Sequence, residues 1–114
     1  MPITRAISIR QPFVELILRG QKKAEYRSIP TRIRERVYLY ASKNPVDAPE
    51  AWNRVGKLPG ELPTGVVLGS VEIVGCCWDV DRQCYAYALA KPIRLRSPCH
   101  AKNAAQPVFW RPRF

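Results

Sequence analysis

The sequence predicts an α+β fold: a small, partly closed β-barrel of about five or six strands, with two short helices packed against it. Three observations carry this. Short β-rich apolar segments recur along the chain, two segments carry helix start and stop signals, and 114 residues leave room for one domain, 1–114, and not two. The 46% hydrophobic share supplies a core, and beside 25% charged residues it excludes a disordered basic tail.

Ala6-Ile7-Ser8-Ile9 alternates as a strand with one buried face does. Gln11 to Arg19 reads as a helix: Pro12 suits its first turn, Phe13, Leu16 and Ile17 share one face, and Glu15 can pair with Arg19. Gly20 then closes it as a left-handed cap. Lys22 to Arg27 is a second strand, interrupted by Ser28-Ile29-Pro30-Thr31. Val37-Tyr38-Leu39-Tyr40-Ala41 is apolar on both faces and predicts a central strand.

A second helix starts with Asp47 as its cap, with Pro49 and Glu50 in the first turn. It carries Ala51, Trp52 and Val55 and ends at Gly56. Pro and Gly make Leu58 to Gly65 a loop. Val66 to Val74 is the strongest strand, with Gly69 as a bulge or close-contact point. Tyr85 to Leu89 and Pro92 to Leu95 read as two further strands. Val108-Phe109-Trp110 returns to close the sheet.

The charge narrows the partners. Nineteen Lys+Arg face 9 Asp+Glu, a formal net charge of +10, and 13 of the 19 are Arg. From Arg82 to Phe114 there are seven basic residues and no acidic one. Such a surplus attracts polyanions, and the guanidinium fork suits phosphates and base edges, so nucleic acid leads. No apolar run approaches the roughly 20 residues of a membrane span, and Met1 to Arg5 lacks a signal peptide's apolar stretch. The expectation is a cytoplasmic protein with no membrane partner.

Cys76 and Cys77 are adjacent, while Cys84 and Cys99 stand alone, the latter before His100. No C-x-x-C pair exists, so no metal site is expected; nor is a cofactor, and the thiols are read as reduced and mostly buried. His100, the only histidine, is read as a surface residue. Glu72 interrupts an apolar strand on the face opposite Val71 and Ile73. A cleft cation can partner it there, or its face is solvated.

The densest candidate is Gly20-Gln21-Lys22-Lys23-Ala24-Glu25-Tyr26-Arg27-Ser28. In an extended chain Lys23, Glu25 and Arg27 share a face, which puts Glu25 beside Arg27 and fixes an ionised carboxylate in direction. A charged outer face of an edge strand has the same pattern. Trp52 and Trp78 are read as core. Trp110, between Phe109 and the arginines Arg111 and Arg113, either stacks on a base or plugs the barrel.

Ile7-Ser8-Ile9-Arg10-Gln11-Pro12 before a short helix, then G-x-K-x-x-E-x-R at Gly20, Lys22, Glu25 and Arg27, resembles the ASCH domain, a family of the PUA-like superfamily of small β-barrels. Arg36 to Ser42, Val67 to Cys76 and Pro107 to Trp110 continue the likeness, which is nearer the activating signal cointegrator-1 type than the shorter bacterial enzymes. The resemblance implies a cleft between barrel and first helix that binds RNA or another nucleic acid. Lys22, Glu25 and Arg27 would line it, with Ser8, Gln11 and Ser42 as neighbours. Lys22 and Arg27 suit phosphate or base edges, and Glu25 an exocyclic amine. Protein partners are also allowed by that relationship.

Some relatives are enzymes. A bacterial branch hydrolyses N4-acetylcytidine with a lysine and a threonine of this motif and a distant glutamate, and another relative is a ribonuclease. Lys22 matches the lysine, but Glu25 replaces the threonine, and a carboxylate does not preserve that nucleophile. Lys22 with Glu25 as an acid/base pair is the enzymatic alternative. Phe13 stands where a tryptophan is common, and Ile29 where an aromatic often follows Arg-Ser.

Overall fold

The computed structural model describes residues 2–114. Six strands and two helices follow in the order β1 (Ala6–Ile9), α1 (Phe13–Leu18), β2 (Ala24–Arg27), β3 (Arg36–Ala41), α2 (Pro49–Val55), β4 (Val66–Asp79), β5 (Cys84–Cys99) and β6 (Phe109–Trp110). All the strands join one sheet in the order β2-β5-β4-β3-β1-β6, an α+β, barrel-like arrangement. Among the described residues, only the β1–β3 pair is parallel. A parallel neighbour needs a crossover, and α1 with β2 supplies it between β1 and β3.

The alternation in β1 and the apolar run of β3 have the expected consequence. Ile7, Ile9, Val37 and Leu39 are fully buried, together with Val14, Ile17, Val71, Ile73 and Tyr87. β3 is central, flanked by β4 and β1. Leu16 turns to the other side and packs against Ala51, Trp52 and Val55 of α2, whose indole Nε1 donates to the Val46 carbonyl at 3.0 Å.

Closure of the barrel is made by side chains. Tyr87 of β5 stacks on Phe109 of β6 with centroids 6.2 Å apart, although these strands stand four places apart in the sheet. Across the same seam Arg27 of edge strand β2 donates to the backbone of Ser8 in β1 at 2.6 Å.

Gly69 is a close-contact point and stands next to a bulge, whose extra residue is Leu68. The β3–β4 register shifts beside it, and a Cβ there would lie 2.4 Å from the Ile93 carbonyl oxygen and 2.6 Å from Leu18 Cδ2. α1 therefore rests directly on β4. Glu15 clamps the helix to β5 as well, accepting from both terminal nitrogens of Arg94 at 2.9 Å each and from Arg19 Nε at 2.7 Å.

Several expectations are corrected. Tyr85–Leu89 and Pro92–Leu95 are parts of one strand, β5; the ladder shifts between Ser70 and Glu72 opposite Lys91 and Pro92, and Lys91 takes φ 51°, so the proline's missing N–H falls at a bulge. Asp47 does not cap α2, which begins after Ala48 without a side-chain cap. α1 is shorter than Gln11–Arg19, with Pro12 at its N-cap. The four thiols are free, but Cys77 and Cys99 are exposed. Trp78 is 49% exposed, whereas Trp52 is buried. Among the described residues, no helix is long and apolar enough to cross a membrane.

Candidate nucleic-acid interface

The cleft lies at the seam where β2 approaches β1, with a volume of about 860 Å³. Its floor and inner wall carry Ser8, Phe13, Lys22, Glu25, Arg27 and Tyr40. The opposite wall is the segment from His100 to Pro107.

The end of α1 delivers Lys22. Gly20 takes φ 76° and donates to the Ile17 carbonyl, while Gln21 and Lys22 both donate to Leu16. This closing motif reverses the chain after Arg19 and needs a left-handed residue, which glycine supplies without strain. The chain then enters β2 pointing Glu25 inward. Its register partner is the buried Tyr87, so the two share the interior face.

Glu25 is 7% exposed and held on both sides. Its Oε2 accepts from Arg27 Nε at 3.0 Å and Nη2 at 2.7 Å, and its Oε1 lies 3.5 Å from Lys22 Nζ. β2 is an edge strand, yet its carboxylate faces inward.

Lys22 is more unusual. Its ammonium sits 5.0 Å from the Phe13 centroid and 4.8 Å from that of Tyr26, and Arg82 Cζ lies 4.2 Å over the same Tyr26 ring. Burial pushes the Lys22 pKa down; Glu25 opposes the shift, and the charges of Arg82 and Arg27 add to it. With Arg10 and Lys43, four cations line the cleft against one carboxylate.

Loops hold the remaining walls. Arg10 donates to the carbonyls of Asn44 and Pro45 at 2.7 and 2.8 Å, fixing the loop that follows β3. Ser8 Oγ donates to the Gln106 carbonyl at 2.8 Å, and Ser8 N to that of Val108 at 2.8 Å, fastening the C-terminal wall to β1. Asn103 braces this wall from behind, donating to the Arg111 carbonyl and accepting from Arg113 N.

Of the residues singled out in the sequence, Ser8, Lys22, Glu25, Arg27 and Ser42 meet in the cleft. Gln11 does not. It is fully buried, its Oε1 accepting from Glu15 N and its Nε2 donating to the Pro63 carbonyl, so it secures α1 and the loop before β4. Trp110 does not either: it is 6% exposed and packs edge-on against Tyr40 at 5.2 Å, a core plug with no face free for a base. Glu72 faces away from the cleft lining and pairs with Arg36 at 3.6 Å. His100 is exposed, as expected of a surface residue, but it also stands on the rim, together with the Ala101–Gln106 wall that no motif marked.

The arrangement places Ser8 of β1, Phe13 of α1 and the K-x-x-E-x-R strand around one concavity. Residues 7–101 match the ASCH domain. The chain belongs to the ASCH domain family. Among curated proteins, none matches it. The match runs from Ile7 in β1 through β5 and stops short of β6 and the final arginines. Its last residue, Ala101, falls within the wall of the cleft, so part of that wall lies outside the match.

Proposed function

We propose that this chain is an ASCH domain of the cointegrator type that binds single-stranded nucleic acid, RNA foremost, in the cleft around Gly20, Lys22, Glu25 and Arg27. One observation carries the reading: four cations and the Phe13 and Tyr26 rings converge on one concave site that holds a single carboxylate. Its volume is within the range of sites that enclose a nucleotide-sized ligand, roughly 300–1,000 Å³. Lys22, Arg10 and Lys43 meet phosphate. Glu25, turned by Arg27, accepts from a base amine. The family is generally regarded as RNA-binding, which favours RNA over other polyanions.

Fluorescence titration of short single-stranded RNA and DNA tests this, with wild type and Lys22→Ala at two salt concentrations. The expected result is RNA binding that weakens with salt, as counterion release requires, and that collapses in the variant. Equal binding by both proteins overturns the reading.

A hydrolase acting on RNA or on an N4-acylated cytidine is the second reading. It is favoured by the partly buried Lys22 ammonium, with its depressed pKa, 3.5 Å from Glu25. Against it stand the missing hydroxyl at Glu25 and the position of Glu72 beside Arg36. Incubation with N4-acetylcytidine and with short RNA, followed by mass analysis for cytidine or fragments, decides between them.

A further inference from the structure

β4 and β5 outrun their neighbours. β3 follows β4 only as far as Glu72, and beyond it the hairpin continues to the turn between Asp79 and Cys84. Near its end Trp78 pairs in register with Tyr85, their rings edge-to-face at 5.1 Å, and nearly half of the Trp78 surface is open. A large aromatic surface left uncovered at a strand end contributes little to stability.

Its neighbours point to a use. Tyr85 pairs in turn with Arg27 of β2, so Arg27, Tyr85 and Trp78 form one row across three strands on one face. Arg27 lines the cleft, and Trp78 lies two strand spacings from it, about 10 Å. The hairpin turn meets the cleft a second time: Asp79, next to Trp78, holds Arg82 at 3.1 Å, and Arg82 lies over the cleft residue Tyr26. The aromatic pair is therefore continuous with the cleft through Arg27, whose row it shares, while Arg82 and Tyr26 lie on the opposite face of the sheet.

We propose that the Trp78–Tyr85 pair is a second subsite, a platform on which a base flanking the cleft-bound nucleotide stacks. The occupant is single-stranded nucleic acid. Charge complementarity selects it: the platform's row begins at the guanidinium-bearing Arg27, on a chain of net charge +10, and every nucleobase has a π-face to offer. The inference rests on the cleft reading above, and it extends the recognised ligand from one nucleotide to at least two.

The test uses a mononucleotide and a short single-stranded RNA, titrated against wild type, Trp78→Ala, Trp78→Phe and Lys22→Ala. Stacking predicts that Trp78→Ala weakens the oligonucleotide roughly 5- to 150-fold, leaves the mononucleotide unchanged, and is rescued in part by Trp78→Phe. The chain has three tryptophans, and Trp52 and Trp110 are buried at 5% and 6% exposure, so Trp78 is the accessible reporter. RNA binding should quench wild-type indole fluorescence and protect it from acrylamide, and Trp78→Phe should lose that response.

Oligonucleotide binding that depends on Lys22 but is indifferent to Trp78→Ala overturns the platform and leaves the cleft reading intact. Equal losses for mononucleotide and oligonucleotide in Trp78→Ala also overturn it, since they report damage to the cleft. Absence of binding by wild type overturns both.

Discussion

Arg27 Nη2 lies 2.6 Å from the carbonyl oxygen of Ser8, a contact between the edge strand β2 and β1 across the seam of the barrel. The same nitrogen donates to Glu25 Oε2 at 2.7 Å, and Nε completes the fork at 3.0 Å. One side chain thus closes the seam and aims the cleft's carboxylate.

Arg27→Lys should expose the difference between charge and geometry. A lysine keeps the positive charge, but its single ammonium cannot serve Glu25 twice and Ser8 once along the same fixed plane. Loss of charge-assisted bonds of this kind costs about 1.5–3 kcal/mol. Urea unfolding should therefore show Arg27→Lys less stable by an amount in that range, with Arg27→Ala lower still. A lysine variant as stable as wild type would mean that charge alone holds the seam.

Lys22 should show a conflict between stability and binding. Its pKa in the fold lies below the ordinary 10.5, lowered first by burial. The unfolded chain therefore binds the proton more tightly than the folded one, and charging Lys22 opposes folding at neutral pH. The cost is full below the folded pKa and is relieved as pH rises from there toward 10.5. Lys22→Met keeps the packing on Phe13 and Tyr26 without the charge. It should raise the Tm at pH 7, narrow that gain at alkaline pH, and abolish nucleic-acid binding. A lower Tm at pH 7 would make Lys22 a structural partner of Glu25 first.

How much of this was legible depends on the range of the interaction. β1, β3 and the left-handed Gly20 are written in neighbouring residues, through alternation, β-propensity and a positive φ. The motif trio was legible for the same reason, since all of it lies within one helix cap and one strand. The cleft's far wall was not: it is held by Ser8 bonding to Gln106, 98 residues away, through a backbone carbonyl that no motif marks. Pro92 misled because a proline looks like a strand end, and only the partner strand reveals the bulge that accommodates it. Trp78 reads as core because a tryptophan usually is, and only the structure shows that β3 stops following β4 before reaching it. Trp110 could not be decided locally, because Tyr40, which covers it, comes from β3.

Gly69→Ala should be among the most damaging single methyl additions in the chain. The new Cβ would press on the Ile93 carbonyl, which belongs to a sheet ladder and cannot swing aside, and on Leu18 at the base of α1. Overpacking of this kind costs typically about 1–3 kcal/mol. Displacing α1 also moves the Gly20 cap and hence Lys22, so nucleic-acid affinity should fall together with stability. Unfolding midpoints and RNA titration on the same sample check this; unchanged affinity in a destabilised variant would uncouple the helix from the cleft.

Glu15 sets the acid limit of the same support. Burial alone would raise its carboxyl pKa, but the hydrogen bonds and charges of Arg94 and Arg19 outweigh burial and hold it below the ordinary 4.5. A carboxylate with a depressed folded pKa contributes stability that is full above its unfolded value and is lost as pH falls through the folded value. Glu15→Gln removes the charge while leaving an amide oxygen to accept from Arg94. At pH 7 the variant should be less stable by roughly 1.5–3 kcal/mol, the scale of hydrogen bonds to a charged group. The gap should shrink once the pH drops below 4.5 and close as the wild-type carboxyl protonates. Urea unfolding of both proteins at pH 7 and at pH 3 measures it. A gap of equal size at both pH values would show that Glu15 acts through its shape and packing, and that the clamp on Arg94 adds nothing.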